Sequence, residues 1–313
     1  MEGTEIKMTD LKFKPVEAED MKVLAPYFGL RPNKTCDSVP LDSFIWRKYY
    51  HVRYAIHENK ALLWLMKEEG VMHSAMPLCK EEDLKKYFDM TVEYFNQVLH
   101  IPFKIYLADE EAIEFLHLKE SEDFVVTEQE DLKDYLYDGE AMRMLSGKKL
   151  HKKKNHLNAF LKEYEGRYEF RRLCCSDRDD VWRFLDRWRE RKGDEVEEHL
   201  DYEVEGIHEI LKQCLDLDIR MSGVYIDGKL EAFTIGSYNQ AENMAVIHIE
   251  KANPEIRGLY QFINQQFLVQ EFPDVTLVNR EDDLGQEGLR HAKMSYNPCG
   301  FARKYLVQQK NFK

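Results

Sequence analysis

The chain has 313 residues, of which 43% are hydrophobic and 12% aromatic, enough for the cores of two domains of ordinary size. Its formal net charge of −13 argues against a protein that coats nucleic acid or an anionic membrane without specificity. No window approaches the ~20 apolar residues that cross a bilayer, and residues 1–14 lack the apolar core of a signal peptide. We therefore expect a cytoplasmic protein, with peripheral membrane association left open.

The first half of the chain predicts a strand, two helices and a three-stranded meander, followed by further helices and strands. In chain order these are a strand (11–15), helices (16–27 and 41–50), strands (52–56, 61–66 and 71–76), a helix (81–99), a strand (103–107), a helix (109–116) and a strand (123–126). Two turn signals, Glu58-Asn59 and Glu69-Gly70, separate the meander strands. A lysine-rich helix over 148–164 comes next.

The second half repeats this order of elements. It predicts a strand (168–173), helices (177–191 and 204–214), strands (220–226, 230–237 and 244–251), a helix (260–272), a strand (275–278), a helix (288–295) and a strand (302–307), with Asp227-Gly228 as a hairpin turn. The repeated order resembles that of the acetyltransferase (GNAT) superfamily. We therefore predict an α/β (α+β) fold of two tandem GNAT-like domains, each a mixed central sheet flanked by helices, over 1–145 and 166–313, with a basic interdomain helix in 146–165.

Cysteine and histidine show no pattern of a disulfide framework or a metal site. None of the six cysteines belongs to a Cys-x-x-Cys pair, so we predict reduced, mostly packed thiols. His73, His100 and His117 lack a second ligand at metal spacing, and no metal site is predicted.

The segment from Asn279 to Pro298 carries the most specific motif. Gly288-Leu289-Arg290, then Lys293 and the aromatic Tyr296, resembles the closing motif of the phosphatidylglycerol lysyltransferase C-terminal domain family (DUF2156). On a helix Arg290 and Lys293 share a face, so two cations are expected to converge on a phosphate or a developing oxyanion. The alternative is a surface helix with two solvated cations.

A second stretch, from His248 to Asn264, spans the strand-to-helix junction where acetyltransferases bind a cofactor pyrophosphate. Arg257-Gly258 is present, but Leu259 and Tyr260 follow where a small residue is expected, which disfavours coenzyme A. Family members that use aminoacyl-tRNA fit this departure. Glu250 is the candidate to orient or deprotonate the donor amino group or the acceptor nucleophile; the alternative is a simple ion pair with Lys251 or Arg257.

The lysine-rich segment also resembles the interdomain helix of this family. Basic residues alternate with Leu150, Leu157 and Phe160, so one face is expected to pack while the other displays cations. Such a face suits the phosphates of a tRNA acceptor arm, although a lysine-rich helix is commonly just solvated. The residues predicted to contact tRNA are Lys148, Lys149, Lys152 and Lys153.

The resemblance implies an aminoacyltransferase that moves an aminoacyl group from charged tRNA to a hydroxyl or amine of a lipid or soluble acceptor. It implies no cofactor, with aminoacyl-tRNA as co-substrate. Glu250, Arg290 and Lys293 are the candidate catalytic residues, and the candidate substrate-binding residues are Arg257, Tyr260, Gln261, Asn279, Glu281, Asp282 and Tyr296. Two alternatives remain open: a coenzyme A-dependent N-acyltransferase, and a non-catalytic RNA-binding or sensor module. Trp46, Tyr49 and Tyr50 either line a pocket or pack under a sheet.

Overall fold

The computed structural model describes residues 11–192 and 198–312. Residues 1–10, which belong to the predicted first domain and to the stretch without a signal-peptide core, lie outside the described residues. The first part of the chain forms strands β1 (Lys14–Pro15), β2 (Arg53–His57), β3 (Ala61–Glu68), β4 (Val71–His73), β5 (Lys104–Asp109), β6 (Phe124–Glu128) and β7 (Asp134–Asp138). Its helices are α1 (Met21–Phe28), α2 (Pro40–Ile45), α3 (Leu84–Glu93), α4 (Glu110–Phe115), α5 (Gly139–Met144) and α6 (His151–Glu163).

The second part follows the same plan. Its strands are β8 (Tyr168–Arg172), β9 (Arg220–Ile226), β10 (Lys229–Asn239), β11 (Met244–Ala252), β12 (Leu277–Asn279), β13 (Gly300–Ala302) and β14 (Lys304–Gln309). Its helices are α7 (Arg178–Lys192), α8 (Glu198–Gln213), α9 (Leu259–Glu271) and α10 (Glu287–Met294). No helix in the described ranges is both long and apolar enough to cross a membrane.

Local sequence signals account for most of these elements. The predicted turns Glu58-Asn59, Glu69-Gly70 and Asp227-Gly228 all have positive φ at both central residues, as tight hairpins require. The side chain of Asp109 accepts a hydrogen bond from the backbone N–H of Ala112 and so caps α4, and Asp138 caps α5 in the same way. Two elements, β7 and α5, were absent from the sequence prediction, and α6 begins at His151, so Lys148 and Lys149 precede it.

The last strand of each half lies in the sheet of the other half. In the seven-stranded sheet the order is β13-β7-β12-β11-β10-β9-β8, so β7 lies among strands of the second half. Conversely, β14 lies between β5 and β6 of the first half and pairs antiparallel with both. Cutting the chain at the predicted domain boundaries, residues 145 and 166, would therefore separate β7 and β14 from the sheets they join. The predicted boundaries describe the order of elements along the chain, and they stay a prediction.

The two halves also share a core. Leu24 and Phe44 of the first half belong to the same buried cluster as Phe184, Ile207 and Phe233 of the second. Helix α8 packs closely on α2, because a Cβ on Gly206 would lie 2.8 Å from the carbonyl oxygen of Ile45. The mixed sheets flanked by helices agree with the predicted fold class. The two halves are interlocked, because each contributes one strand to a sheet of the other.

The cysteine prediction needs a correction. Cys175, at the start of the helical hairpin α7–α8, forms a disulfide with Cys214 at its end, with the two Cα atoms 6.0 Å apart. The sequence gave no signal of this pair because the two residues are 39 positions apart and only the packing of α7 on α8 brings them together. Cys36, Cys79, Cys174 and Cys299 are free, and the first two are buried as predicted.

Candidate active site

A cavity of about 820 Å³ lies between the two halves and is lined by both. The second half contributes side chains from the ends of β11 and β12, from the first turn of α9 and from α10. Strands β11 and β12 are parallel neighbours, so their carboxyl ends open at the same edge of the sheet. This places Glu250, near the end of β11, beside Arg280, which directly follows β12.

The Arg280–Glu250 pair is the central polar feature of the cavity. Arg280 Nη2 donates to Glu250 Oε1 at 2.7 Å, and Asn264 Nδ2 donates to the other carboxylate oxygen at 2.7 Å. The Arg280 guanidinium lies 4.9 Å from the ring centre of Tyr296, and its Nη1 is buried without a hydrogen-bond partner. Because a buried donor is normally paired, this atom points to a ligand. Lys251 instead pairs with Glu203, so the predicted alternative partners of Glu250 are not the ones it binds.

The two cations of α10 do not converge, which corrects the sequence prediction. Lys293 lines the cavity, but its Nζ donates to the backbone carbonyls of Arg280 (2.5 Å) and Asp282. Arg290 is 45% exposed, does not line the cavity, and binds Asp283 (2.8 Å) and Asp131 (2.6 Å). Two residues three positions apart on a helix point in directions that differ by about 60°, so they need not reach the same place. Here the side chain of Lys293 turns towards the cavity and that of Arg290 turns to the surface.

Both α10 cations therefore support the loop that carries Arg280. Burial opposes ionisation of Asp283, but its hydrogen bonds from Arg290 and the Tyr135 hydroxyl lower its pKa to about 2. Lys293 fixes the carbonyls on either side of Glu281, and burial lowers the pKa of Lys293. Asn279 is fully buried and holds the same loop, because its side chain accepts from the N–H of Glu281 at 2.7 Å.

Glu281 and Asp282 line the cavity next to a buried histidine. His248 Nδ1 lies 2.9 Å from Glu281 Oε1, and its Nε2 lies 2.6 Å from the Ser237 hydroxyl. Burial lowers the pKa of His248 to about 3, so the imidazole is neutral. Burial raises the pKa of Glu281 well above its ordinary value and that of Asp282 to about 6. The Asp282 carboxyl group is therefore able to exchange a proton close to neutral pH.

An acidic cluster with members from both halves lies at the cavity. Cys36, Asp42 and Glu281 each place one polar atom within 4.8 Å of the others. The buried amine of Lys304 lies 2.8 Å from Asp134 and 3.3 Å from Asp37 and partly neutralises the cluster. Burial raises the pKa of Asp42 well above its ordinary value. Only Glu281 of this group was predicted from the sequence, because the other members come from segments that are distant in the chain.

The lysine-rich segment has one residue in the cavity and three outside it. Lys153 lines the cavity with its Nζ 4.1 Å from the ring centre of Tyr296, and burial lowers its pKa to about 8. Lys148, Lys149 and Lys152 are exposed. Leu157 and Phe160 of α6 are buried against α9, so the predicted split into a packed and a basic face matches the structure. The basic side continues from the surface into the cavity at Lys153.

Other predicted residues divide between the cavity and the surface. Tyr260, Gln261 and Tyr296 line the cavity, and burial raises the pKa of Tyr296 to about 12. Arg257 is exposed and does not line the cavity, and its contact with substrate stays a prediction. From the first half, Trp46 and Tyr50 line the cavity, while Tyr49 packs against Tyr202.

The comparisons with known proteins decide the family. The family model of the phosphatidylglycerol lysyltransferase C-terminal domain matches residues 37–308. The chain belongs to this family. The lysyltransferase family match covers both halves, whereas the motifs recognised in the sequence lie between residues 146 and 305. The chain is therefore a member of a transferase family.

Three solved structures give the same fold. A conserved protein of unknown function from Bacteroides thetaiotaomicron VPI-5482 is 25% identical with a TM-score of 0.85, covering 96% of this chain and 100% of that one. The C-terminal domain (DUF2156) of a putative lysylphosphatidylglycerol synthetase from Agrobacterium fabrum is 16% identical with a TM-score of 0.68, covering 94% and 93%. A tandem GNAT protein from the clavulanic acid biosynthesis pathway is 11% identical with a TM-score of 0.50, covering 97% and 99%. The predicted GNAT-like fold is thereby confirmed.

Arg280 is the residue that sequence reasoning missed within a motif it had singled out. It lies in the segment Asn279–Pro298, but a lone arginine after a short strand has no helical spacing to mark it. A signal was available: Glu250 lies near the end of one predicted strand (244–251), and Arg280 follows the end of another (275–278) by two residues. Strand order is needed to make those ends neighbours, and the sequence does not supply it.

Proposed function

We propose that the chain transfers an aminoacyl group from charged tRNA to a hydroxyl or amine of an acceptor. The observation that carries this proposal is that the Arg280–Glu250 pair and Lys153 of the lysine-rich segment line one cavity between the halves. Family membership supports aminoacyl transfer in general; the charged tRNA as donor is the finer part of the proposal.

The chemistry requires positioning and charge stabilisation. An aminoacyl ester is already activated, so the acceptor oxygen or nitrogen attacks its carbonyl carbon once the two are held together. Arg280 Nη1, buried and without a protein partner, is available to donate to the oxyanion that develops, and Glu250 holds the guanidinium in place. The bond from the carbonyl carbon to the ribose oxygen then breaks. The acceptor proton passes to that ribose oxygen, with Glu281 as the carboxyl group placed to carry it.

The predicted catalytic residues take different parts in this scheme. Glu250 orients Arg280, because both of its oxygens are already occupied by Arg280 and Asn264. Lys293 and Arg290 act through the loop that bears Arg280, and we class them as positioning residues.

The lysine-rich segment is the proposed tRNA contact. Lys148, Lys149 and Lys152 are exposed on the same segment whose Lys153 enters the cavity, so phosphates bound at the surface would direct the charged 3′ end inward. Coenzyme A fits less well. Gly258 begins α9 with a φ of +84°, and a Cβ there would collide with the carbonyl of His156 in α6. The helix end that binds pyrophosphate in acetyltransferases is therefore packed against α6.

The test measures binding of charged and uncharged tRNA at several salt concentrations, and transfer of a radiolabelled aminoacyl group. Replacing Lys148, Lys149, Lys152 and Lys153 together with Gln should weaken tRNA binding and reduce the slope of log affinity against log salt by up to about 3. A control replaces Lys60, Lys80, Lys85 and Lys86, which are exposed on the first half as Lys148, Lys149 and Lys152 are on their segment. Tight coenzyme A binding without tRNA binding would contradict the proposal. An equal loss of tRNA affinity in the control variant and in the variant of the lysine-rich segment would contradict it as well.

A further inference from the structure

The first half contributes an aromatic arm to the cavity. Alternate side chains of β3, from Trp64 through Met66 to Glu68, face the cavity, while Leu63 and Leu65 pack in the opposite core. We call the region lined by Trp46, Tyr50, Trp64, Met66, His73 and Tyr106 the aromatic arm. The reaction scheme above assigns it no role.

His73 gives this arm an unpaired polar group. It is 2% exposed, and neither ring nitrogen has a hydrogen-bond partner among the described residues. Tyr106 holds the imidazole edge-on with ring centres 4.6 Å apart, and Tyr50 does so at 6.1 Å. The backbone of Ser74 acts on the imidazole but makes no hydrogen bond of normal geometry with it. Burial of an imidazole in this state is costly, so a ligand that pairs with it gains free energy.

The charges around the arm select an uncharged ligand. Burial, with a smaller contribution from Lys104, lowers the pKa of His73 to about 4, so the arm disfavours positive charge even on its own histidine. Arg31, a cation near the arm, is bound bidentately by Asp109 at 2.6 and 2.7 Å. Two further charges, the carboxylate of Glu68 and the ammonium of Lys104, which donates to the Tyr106 hydroxyl at 2.5 Å, have opposite signs. The arm therefore carries no net charge that would favour an anion or a cation, and its burial disfavours both.

We propose that the aromatic arm binds the acceptor, and that the acceptor is an uncharged ring compound whose hydroxyl hydrogen-bonds to His73. The inference rests on the proposed function only in calling the ligand an acceptor. Flat ring faces pack well against Trp and Tyr side chains, and a neutral imidazole offers one donor and one acceptor, as a hydroxyl does. The charged part of the cavity, around Arg280 and Glu281, is left for the aminoacyl ester.

Three small probes with one ring and different charges test the arm directly, without tRNA. Calorimetry on the full chain compares 4-hydroxyphenethyl alcohol (neutral), tyramine (cationic) and 4-hydroxyphenylacetate (anionic). We expect the neutral compound to bind tightest and His73→Phe to weaken it about tenfold, the effect of losing one hydrogen bond of about 1.4 kcal/mol. His57→Phe is the matched control, because His57 is also buried, makes no side-chain hydrogen bond with the described residues and does not line the cavity; its Nδ1 lies 3.9 Å from the Glu58 carboxylate.

Tryptophan fluorescence, excited at 295 nm, locates the probe independently of His73. The change caused by the neutral probe should be smaller in Trp64→Phe, which leaves Trp46 as the other tryptophan of the arm, and should be unchanged in Trp182→Phe, because Trp182 packs against His208 outside the cavity. Tighter binding of either charged probe, no binding of the neutral one, or equal effects of the two histidine variants would overturn the proposal. Binding to phosphatidylglycerol vesicles that depends on His73 would overturn it in favour of a lipid head group. Loss of tRNA binding with intact probe binding would count against the transferase function alone.

Discussion

Arg280 and Arg290 lie ten residues apart in one motif but have opposite environments. Arg280 is almost fully buried, carries an unpaired Nη1 and faces the cavity. Arg290 is half-exposed and has its charge matched by Asp283 and Asp131. Burial without a full set of partners favours ligand binding, whereas a satisfied surface pair favours a structural role.

Replacing each arginine with Gln should separate these roles. Arg280→Gln should lower the rate of aminoacyl transfer by about 10²- to 10³-fold, the effect of losing one oxyanion donor. It should also lower the melting temperature, because it leaves the buried carboxylate of Glu250 without its cation. Arg290→Gln should lower the melting temperature, because it leaves the buried carboxylate of Asp283 without its cation, and should reduce the rate less. Single-turnover kinetics and calorimetry check both. If Arg290→Gln were the slower enzyme, the placement of Arg280 at the reaction centre would be wrong.

Asp282 should make stability depend on pH. Its folded-state pKa is raised to about 6, so burying the ionised form costs stability above pH 6, and this cost falls as pH drops towards the ordinary value. Asp282→Asn should therefore stabilise the fold by on the order of 2 kcal/mol at pH 8 and by little at pH 4. Denaturant melts at both pH values measure the difference. A difference in stability that does not change with pH would show that the pKa of Asp282 is not raised in the folded protein.

At the scale of elements, α7 and α8 form a hairpin that walls the cavity with Trp188, Leu200 and Glu203. The disulfide between Cys175 and Cys214 closes the open end of this hairpin. Its position away from the cavity suits a structural role, because neither cysteine lines the site.

Reducing this disulfide should destabilise the protein by up to about 4 kcal/mol, as expected for closing a loop of this length in the unfolded chain. Melting temperatures with and without reductant measure the effect. Cys214→Ser should abolish the sensitivity to reductant, and Cys174→Ser should leave it unchanged. Equal sensitivity in all three proteins would contradict the pairing.

At the scale of the whole molecule, the exchange of β7 and β14 locks the two halves together. The seven-stranded sheet holds β7 of the first half between two strands of the second, and the three-stranded sheet holds β14 of the second half between two strands of the first. The shared core around Phe44 and Phe233 adds a second connection. The cavity lies between the halves, so its shape depends on both sheets being complete.

Separate fragments should therefore not fold. Residues 1–165 lack β14 and residues 166–313 lack β7, and each should be insoluble alone and recover when both are produced together. Joining residues 303–312 to the end of the first fragment through a Gly/Ser linker should improve its folding. Circular dichroism melts test this, and a cooperative transition in either unmodified fragment would contradict the exchange. The intact chain should unfold in one calorimetric transition.

The sequence by itself determined the order of strands and helices, the hairpin turns, the fold family and the segment that lines the cavity. These depend on local periodicity, on turn residues such as Asp227-Gly228, and on motif spacing, all of which operate within about twenty residues. Tertiary structure alone decided which side chains meet. The pairing of Arg280 with Glu250, the acidic cluster around Lys304, the exchange of β7 and β14 and the disulfide each join residues far apart in the chain. Such contacts follow from strand order and core packing, which are properties of the folded molecule and leave no periodic trace in the sequence.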